Sequence, residues 1–182
     1  MPDSIFTLGH STRALDDFIA TLRAHRVELL ADVRLIPRSR RYPHFNDEAL
    51  ADSLPRVGIG YVSFKSLGGR RRAAEDSINT GWRNASFRGY ADFMQTDAFA
   101  GALDELMEIA RAKPTAMMCA EAVPWRCHRS LIADALLVRG WEVLDIYDER
   151  KAAPHKLTPF ARVEGTRVTY PGDETGGLFV GT

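Results

Sequence analysis

The sequence predicts an α/β domain with a mostly parallel, Rossmann-like sheet of about five strands, helices on both faces and a C-terminal β-hairpin. Short apolar runs alternate with amphipathic, helix-period segments through residues 1–148. Several of these runs are almost continuously apolar, which is typical of strands covered on both faces. Residues 160–170 instead alternate apolar and polar side chains around a Glu-Gly turn, a pattern that predicts an antiparallel hairpin.

The length and composition indicate one domain over residues 1–182. A chain of 182 residues with 45% hydrophobic side chains can bury a full-sized core. We expect the core in residues 1–148, an extension carrying the hairpin in 149–171, and a flexible tail in 172–182, where glycines accumulate.

The strands are predicted from short runs rich in β-branched and other apolar residues that stop at polar residues or glycine. The first run, residues 5–8, ends at Gly9, and the second, residues 28–33, leads into Arg34. The five predicted strands span residues 5–8, 28–33, 59–64, 115–119 and 142–147.

The helices are predicted from apolar residues that recur every three or four positions. Ser11 or Thr12 is the expected N-cap of the first helix, and Gly58 and Gly140 are stop signals for later ones. The predicted helices span residues 14–25, 47–57, 90–94, 98–112 and 126–139. The segments 35–46 and 65–89 lack a period and are expected to be loops, the longer one a binding segment.

The charge distribution indicates an anion site. The chain is formally neutral, but residues 34–88 hold eleven Lys and Arg against five Asp and Glu, an excess of six positive charges. Local charge of this kind recruits anionic partners, although ordinary solvated arginines would give the same count. Gly68 and Gly69, followed by three arginines, resemble a phosphate cradle, because glycine lets backbone N–H groups approach an anion.

Membrane proteins and secreted disulfide scaffolds are disfavoured. No apolar run reaches the roughly 18 residues of a membrane span, and residues 1–9 do not resemble a secretory signal. We therefore expect a cytoplasmic protein with no membrane partner, in which Cys119 and Cys127 are free or functional rather than bridged.

Unusual side chains follow several predicted strands, and ligands of open parallel sheets bind beyond the carboxyl ends of the strands. His10 and Ser11 follow the first strand, Asp32 and Arg34 end the second, and Cys119 and Glu121 end the fourth. Each has a structural alternative: His10 as a turn residue, Ser11 as a cap, Asp32 and Arg34 as partners of one another, and Glu121 as an arginine-orienting carboxylate. The functional interpretation makes Glu121 a general acid or base.

Cys127 and His128 are predicted at the first turn of a helix, where the N–H groups and the helix dipole stabilise a thiolate or a bound anion. Cys127 is thus a candidate nucleophile, with His10 or His128 as its base. The phosphatase and rhodanese loops place an arginine six positions after their cysteine, whereas Trp125 stands six positions after Cys119. That loop is therefore absent, and the eight-residue spacing of the cysteines is not a standard zinc pattern.

Five motifs extend over most of the chain. In order they are T-L-G-H-S-T-R, D-V-R-x-x-P-R-S, G-I-G-Y followed by L-G-G, C-A-E-x-x-P-W-R-C-H-R, and P-H-K-L-T-P-F-A-R-V. With these motifs the sequence resembles the uncharacterised bacterial family known as domain of unknown function 488. The resemblance implies an α/β fold and no established activity. The site residues that it implies are His10, Ser11, Asp32, Arg34, Arg38, Ser39, Glu121, Cys127, His128 and Arg129.

Three functions are compatible with these patterns. The first is an enzyme, a hydrolase or transferase acting on a phosphate-bearing small molecule or nucleic acid, with Glu121, His10, Cys127 and Asp32 as catalytic candidates. The second is a non-catalytic nucleic-acid-binding module, whose arginines contact phosphates and whose aromatic residues stack bases. The third is a thiol redox or metal-binding protein. No cofactor and no metal ligand are assigned. The aromatic candidates are Tyr42, Phe45, Trp82, Phe87 and Tyr90.

Overall fold

A six-stranded sheet forms the centre of the molecule in a computed structural model that describes residues 2–173. Its strands are β1 (Ser4–Gly9), β2 (Leu29–Asp32), β3 (Gly60–Ser63), β4 (Thr115–Cys119), β5 (Glu142–Ile146) and β6 (Ala152–Pro154). The order across the sheet is β3-β2-β4-β1-β5-β6, with β1 to β5 parallel and β6 antiparallel to β5. The predicted α/β class is confirmed. The sixth strand was not predicted, because it has three residues and contains a proline, which is tolerated at a sheet edge.

The position of β4 between β1 and β2 determines which strand ends are neighbours. Gly9 at the end of β1 is paired with Cys119, and Asp32 at the end of β2 is paired with Met118. The loops that follow these three strands therefore leave the sheet side by side. They bring together residues that are more than 100 positions apart in the chain.

Two apolar clusters cover the two faces of the sheet. Helices α1 (Leu15–Ala24) and α2 (Asp47–Arg56) contribute to one cluster, and α3 (Ala85–Phe93), α4 (Asp97–Ala112) and α5 (Arg129–Leu137) contribute to the other. Alternate residues of β4 belong to opposite clusters, which is why its sequence is apolar throughout.

Two helix starts differ from the prediction. Helix α3 begins at Ala85 rather than residue 90, because the Asn84 side chain accepts hydrogen bonds from the N–H groups of Ser86 and Phe87. Helix α5 begins at Arg129 rather than near residue 126, because Pro124–Arg126 form a separate 3₁₀ turn and Cys127 is extended. Cys127 therefore lies just before the N-cap of α5, and its predicted position within the first turn is wrong.

The predicted side-chain cap of α1 is also wrong. The N-cap is Ala14, and no side chain caps the helix. Ser11 instead has a φ of 50° and donates its N–H to the carbonyl of Ala120, so it fastens the end of β1 to the loop after β4.

The predicted hairpin is present as β7 (Arg162–Glu164) and β8 (Arg167–Thr169), which turn at Gly165. It forms a separate two-stranded sheet and is not hydrogen-bonded into the main sheet. Val168 and Tyr170 anchor it in the core. Most of the predicted flexible tail, from residue 174, lies outside the described residues, and no helix within residues 2–173 has the length and apolarity required to cross a membrane.

Candidate functional site

A continuous cleft lies at the carboxyl ends of β1, β2 and β4. It consists of two adjoining cavities of about 550 and 350 Å³ that share Arg34, Ile36, Ala120, Glu121 and Arg126. We call the larger one the arginine cavity; it is further lined by His10, Ser11, Thr12, Arg38, Ser39, Tyr42, Ala122, Val123 and Trp125. We call the smaller one the thiol cavity; it is further lined by Leu35, Gly69, Arg70, Asn84, Ser86, Phe87, Cys119, Cys127 and His128.

Most of the candidate residues from the sequence thus meet at one cleft, but three of them line neither cavity. Asp32 and Arg129 are buried beneath it. Gly68 packs against the backbone of Leu35, because a Cβ atom on residue 68 would lie 2.9 Å from the Cα atom of Leu35. These three residues support the cleft from below.

Arg34 is the best-fixed cation of the cleft. Its Nε and Nη2 atoms donate to the two carboxylate oxygens of Asp32 at 2.8 and 2.6 Å, and Nη2 also donates to the Phe45 carbonyl at 2.7 Å. Asp32 is fully buried, and its Oδ2 atom also accepts from the Tyr61 hydroxyl at 2.6 Å. The Asp32 carboxylate is therefore occupied with holding Arg34.

His10 is neutral and contacts Arg34. Burial lowers the pKa of His10 to about 4, with a further lowering by the charge of Arg34. Its Nδ1 atom lies 2.8 Å from the Ser11 carbonyl and must donate to it, so Nε2 is the acceptor for Nη1 of Arg34 at 3.3 Å. The ring stacks on Phe45 at a centroid distance of 4.4 Å.

Arg38 and Ser39 form the outer rim of the arginine cavity. Arg38 is exposed and donates to Glu48 at 2.9 Å, an ion pair that solvent weakens. The Ser39 hydroxyl accepts the N–H groups of Arg41 and Tyr42, each at 3.2 Å, and so shapes the loop after β2.

Glu121 stands where the two cavities join. Its exposed carboxylate has neither a hydrogen bond nor an ion pair within residues 2–173, whereas its carbonyl is held from two sides. Gly9 permits a close approach of that carbonyl, because a Cβ atom at Gly9 would overlap it. Arg129 donates from Nη1 to the same carbonyl at 2.6 Å and from Nη2 to the Ala122 carbonyl at 3.2 Å.

Arg129 therefore organises the loop after β4. It is 1% exposed, and burial lowers the pKa of its guanidinium to about 10, so the group stays charged at neutral pH. No carboxylate in the described part of the chain forms an ion pair with it. Its Nη1 atom lies 2.8 Å from Sγ of Cys119.

Cys119 and Cys127 are joined at the floor of the thiol cavity. Their Sγ atoms are in direct contact as a disulfide, with Cα atoms 7.3 Å apart, so the expectation of free thiols is wrong. The pairing arises because the turn at residues 124–126 returns the chain over the end of β4. Both cysteines are nearly inaccessible, at 2% and 5% exposure.

His128 lies beside Cys127. Its Nδ1 atom is 3.5 Å from Sγ of Cys127, and Nε2 is 2.9 Å from the Val33 carbonyl. Burial lowers the pKa of His128 to about 4, with a further contribution from the charges of Arg129 and Arg71. The neutral ring therefore donates from Nε2 and presents the Nδ1 lone pair to the sulfur. Gly69 leaves room for this ring, since a Cβ atom there would lie 2.9 Å from Nδ1.

The five aromatic candidates separate into two groups. Phe45 and Tyr90 are fully buried in the core and have no face available for a base. Trp82 and Phe87 are partly buried and pack on each other at 5.0 Å, and Tyr42 lines the arginine cavity.

The sequence-based set of site residues omitted Arg126 and Trp125, which both line the cleft. They stand inside the P-W-R-C-H-R motif, so their position beside Cys127 was the available signal. Trp125 is 61% exposed, a high value for the largest apolar side chain. Within residues 2–173, no group of three or more His, Cys, Asp or Glu side chains is arranged to hold a metal ion.

Comparison with known proteins identifies the family. The family model described as "Domain of unknown function DUF488" matches residues 14–136. This range includes every predicted site residue except His10 and Ser11, which precede it. No curated protein and no solved structure matches the chain significantly. Because the family model covers more than half of the sequence and agrees with the motifs, the protein belongs to the DUF488 family of domains of unknown function.

Proposed function

We propose that the cleft is the active site of an enzyme acting on a phosphate-bearing substrate, a nucleotide or nucleic acid. The observation that carries the proposal is the charge of the arginine cavity, where Arg34, Arg38 and Arg126 face one carboxylate, Glu121. Guanidinium groups donate charge-assisted hydrogen bonds to phosphate oxygens, and Arg34 keeps one N–H of Nη1 for such a bond. A cavity with three of them favours a substrate with more than one negative charge.

Arg34 supports the proposal because its geometry exists before any ligand binds. Asp32 and the Phe45 carbonyl hold three of its hydrogen bonds, and His10 holds Nη1 at the wall of the cavity. A preorganised cation loses little conformational entropy on binding. In this proposal Asp32, His10 and Arg129 position other groups, whereas Arg34, Arg38 and Arg126 contact the phosphate.

Glu121 is the proposed general acid or base. Its carboxylate is exposed to both cavities, while its backbone is fixed by Arg129 and by the contact with Gly9. A carboxylate held beside a bound phosphate can take a proton from an attacking hydroxyl or water, or give one to the leaving oxygen.

Measurements of ligand binding and of substrate turnover distinguish an enzyme from a protein that only binds anions. Calorimetric titration with pyrophosphate should show binding that Arg126→Gln weakens about tenfold or more, since a charge-assisted hydrogen bond contributes about 1.5–3 kcal/mol. Arg56→Gln, which removes an exposed arginine of α2 outside the cleft, is the control. Unchanged affinity in the Arg126 variant would contradict the phosphate site.

Phosphate monoesters and diesters with a chromogenic leaving group then test catalysis. The Glu121→Gln variant should bind pyrophosphate as well as the wild type and lose turnover of any ester that the wild type cleaves. Equal turnover in both proteins would remove Glu121 from the mechanism. Retained pyrophosphate binding without turnover of any ester, nucleotide or oligonucleotide would leave the non-catalytic binding module as the better description.

The joined cysteines favour thiol–disulfide exchange as a second candidate function. A thiolate of a dithiol reductant would attack Sγ of Cys127, form a mixed disulfide there and release Cys119 as a thiolate, which Nη1 of Arg129 at 2.8 Å would stabilise. The second thiol of the reductant would then lose its proton and attack the reductant's first sulfur atom, which is bonded to Cys127. This step releases Cys127 as a thiolate and leaves the reductant as a disulfide. If Cys119→Ser does not trap a mixed disulfide at Cys127 with an oxidised dithiol protein, this candidate fails.

A further inference from the structure

A third cavity of about 540 Å³ adjoins the cleft and has a different chemical character. We call it the aromatic cavity. Its walls include the rings of Trp82, Trp125, Tyr147 and Phe160, together with the amines of Lys151 and Lys156. Its lining combines Pro124 and Trp125 of the 3₁₀ turn Pro124–Arg126 with residues of the extension after β5.

Trp125 is the wall shared by the aromatic cavity and the arginine cavity. Pro124, buried beneath it, lines the aromatic cavity, whereas Arg126 lines the arginine cavity. One side chain thus separates a region rich in aromatic rings from a region rich in guanidinium groups. A ligand with a planar ring at one end and a phosphate at the other fits this arrangement.

Two rings of the aromatic cavity, the exposed Phe160 and the partly buried Trp82, are held in place by packing. Phe160 is 41% exposed and meets Trp82 edge to face at a centroid distance of 4.8 Å, and Tyr170 supports both rings from the core. Exposed rings fixed in this way offer stacking surfaces at little entropic cost. Lys151, whose Nζ atom lies 5.1 Å from the centre of the Tyr147 ring, adds a hydrogen-bond donor for a polar ring edge.

We propose that the aromatic cavity is a nucleobase subsite, which receives the base of a nucleoside phosphate while the arginine cavity holds its phosphate. This inference rests on the proposed function and narrows it. It makes the substrate a nucleotide, free or within a single strand, rather than a sugar phosphate or another phosphate ester. The lysines suit such a ligand, because carbonyl and ring-nitrogen acceptors surround the edge of a base.

Titration of the full chain with AMP and with ribose 5-phosphate tests the subsite. AMP should bind about fivefold or more tightly than ribose 5-phosphate, since stacking of one base contributes about 1–3 kcal/mol. Phe160→Ala and Trp125→Ala should reduce AMP affinity toward that of ribose 5-phosphate, and Trp125→Phe should restore most of it. Val163→Ala, at an equally exposed position of the nearby hairpin outside the cavity, is the control.

The outcomes distinguish this inference from the proposed function. Equal affinities for AMP and ribose 5-phosphate, with no effect of Phe160→Ala, would overturn the subsite and leave the phosphate site intact. Absence of binding by AMP, ribose 5-phosphate and pyrophosphate alike would overturn both. A ten-nucleotide single strand that binds more tightly than AMP would assign the subsite to nucleic acid, and one that binds no better would assign it to a free nucleotide; either result supports a base in this cavity.

Discussion

Nε2 of His10 accepts a hydrogen bond from Nη1 of Arg34 at 3.3 Å, which joins the end of β1 to the cation that follows β2. The imidazole is neutral, because burial lowers its pKa to about 4. Its two nitrogen atoms are both engaged, one by Arg34 and one by the Ser11 carbonyl. His10 is therefore better suited to position Arg34 than to move a proton.

Replacement of His10 by phenylalanine keeps the ring stacked on Phe45 and removes the acceptor. We expect pyrophosphate affinity to fall about twofold to twelvefold, the range given by one hydrogen bond of about 0.5–1.5 kcal/mol. His10→Gln, which retains an acceptor oxygen, should lose less. Calorimetric titration of the three proteins measures the difference, and identical affinities would show that Arg34 does not depend on His10.

The stability of the protein should fall on the acid side. His10 and His128 have pKa values lowered to about 4 from the ordinary 6.5, so the unfolded chain binds their protons first. Stability is therefore lost as the pH falls from about 6.5 toward 4, by up to about 3 kcal/mol for each group. Urea unfolding at pH 7 and pH 4.5 measures this loss, and it should be smaller in His128→Gln. A loss of the same size in that variant would contradict the assignment.

On the alkaline side, His155 should give the opposite dependence. Burial opposes its charge, but hydrogen bonds from its ring to Asp134 and Asp145 outweigh burial and raise the pKa of His155 to about 9. Its contribution to stability is complete below about pH 6.5 and is lost as the pH rises through 9, on the order of 3 kcal/mol in total. Thermal unfolding between pH 6.5 and 9.5 should show this decline in the wild type and a flatter curve in His155→Gln.

Loss of the buried Arg129 guanidinium should destabilise the whole fold. Arg129→Met removes the charged donors to the carbonyls of Glu121 and Ala122, and a hydrogen bond from a charged group contributes about 1.5–3 kcal/mol. We expect a loss of about 3 kcal/mol in urea unfolding. Arg56→Gln, which breaks an exposed pair with Asp52, should cost less than about 1 kcal/mol. Similar values for the two variants would show that Arg129 does not organise the loop.

A glycine-to-alanine substitution at Gly9 tests how Glu121 is positioned, and the same substitution at Gly101 is its control. A methyl group at Gly9 would overlap the Glu121 carbonyl, whereas nothing lies within 4 Å of the corresponding position at Gly101 in α4. Gly9→Ala should therefore destabilise the protein and displace Glu121, whereas Gly101→Ala should stabilise it by up to about 1 kcal/mol. Thermal unfolding compares the two, and a neutral Gly9→Ala would indicate that the loop after β4 moves freely.

Local patterns in the sequence were sufficient to predict whether most segments form a helix or a strand. The apolar run 115–119 had to be buried on both faces, and the spacing of apolar residues in 98–112 suits one helix face. Because parallel strands share one carboxyl edge, the same patterns also indicated that Glu121 and Arg34 would meet. The predicted helix starts were wrong where they depended on one side chain or one loop contact. Asn84 caps α3, and Ser11 bonds to the loop after β4 instead of capping α1.

The fold class, the family resemblance and the edge of the sheet where unusual residues gather all follow from the amino-acid sequence, because they depend on periodicity and on short motifs. The position of β4 between β1 and β2, the contact of Cys119 with Cys127 and the burial of Arg129 emerge only in the folded molecule. The contacts of a side chain depend on packing between segments that are distant in the chain, so a local sequence pattern does not predict them. For the same reason the aromatic cavity behind Trp125 became visible only once the extension after β5 was packed beside it.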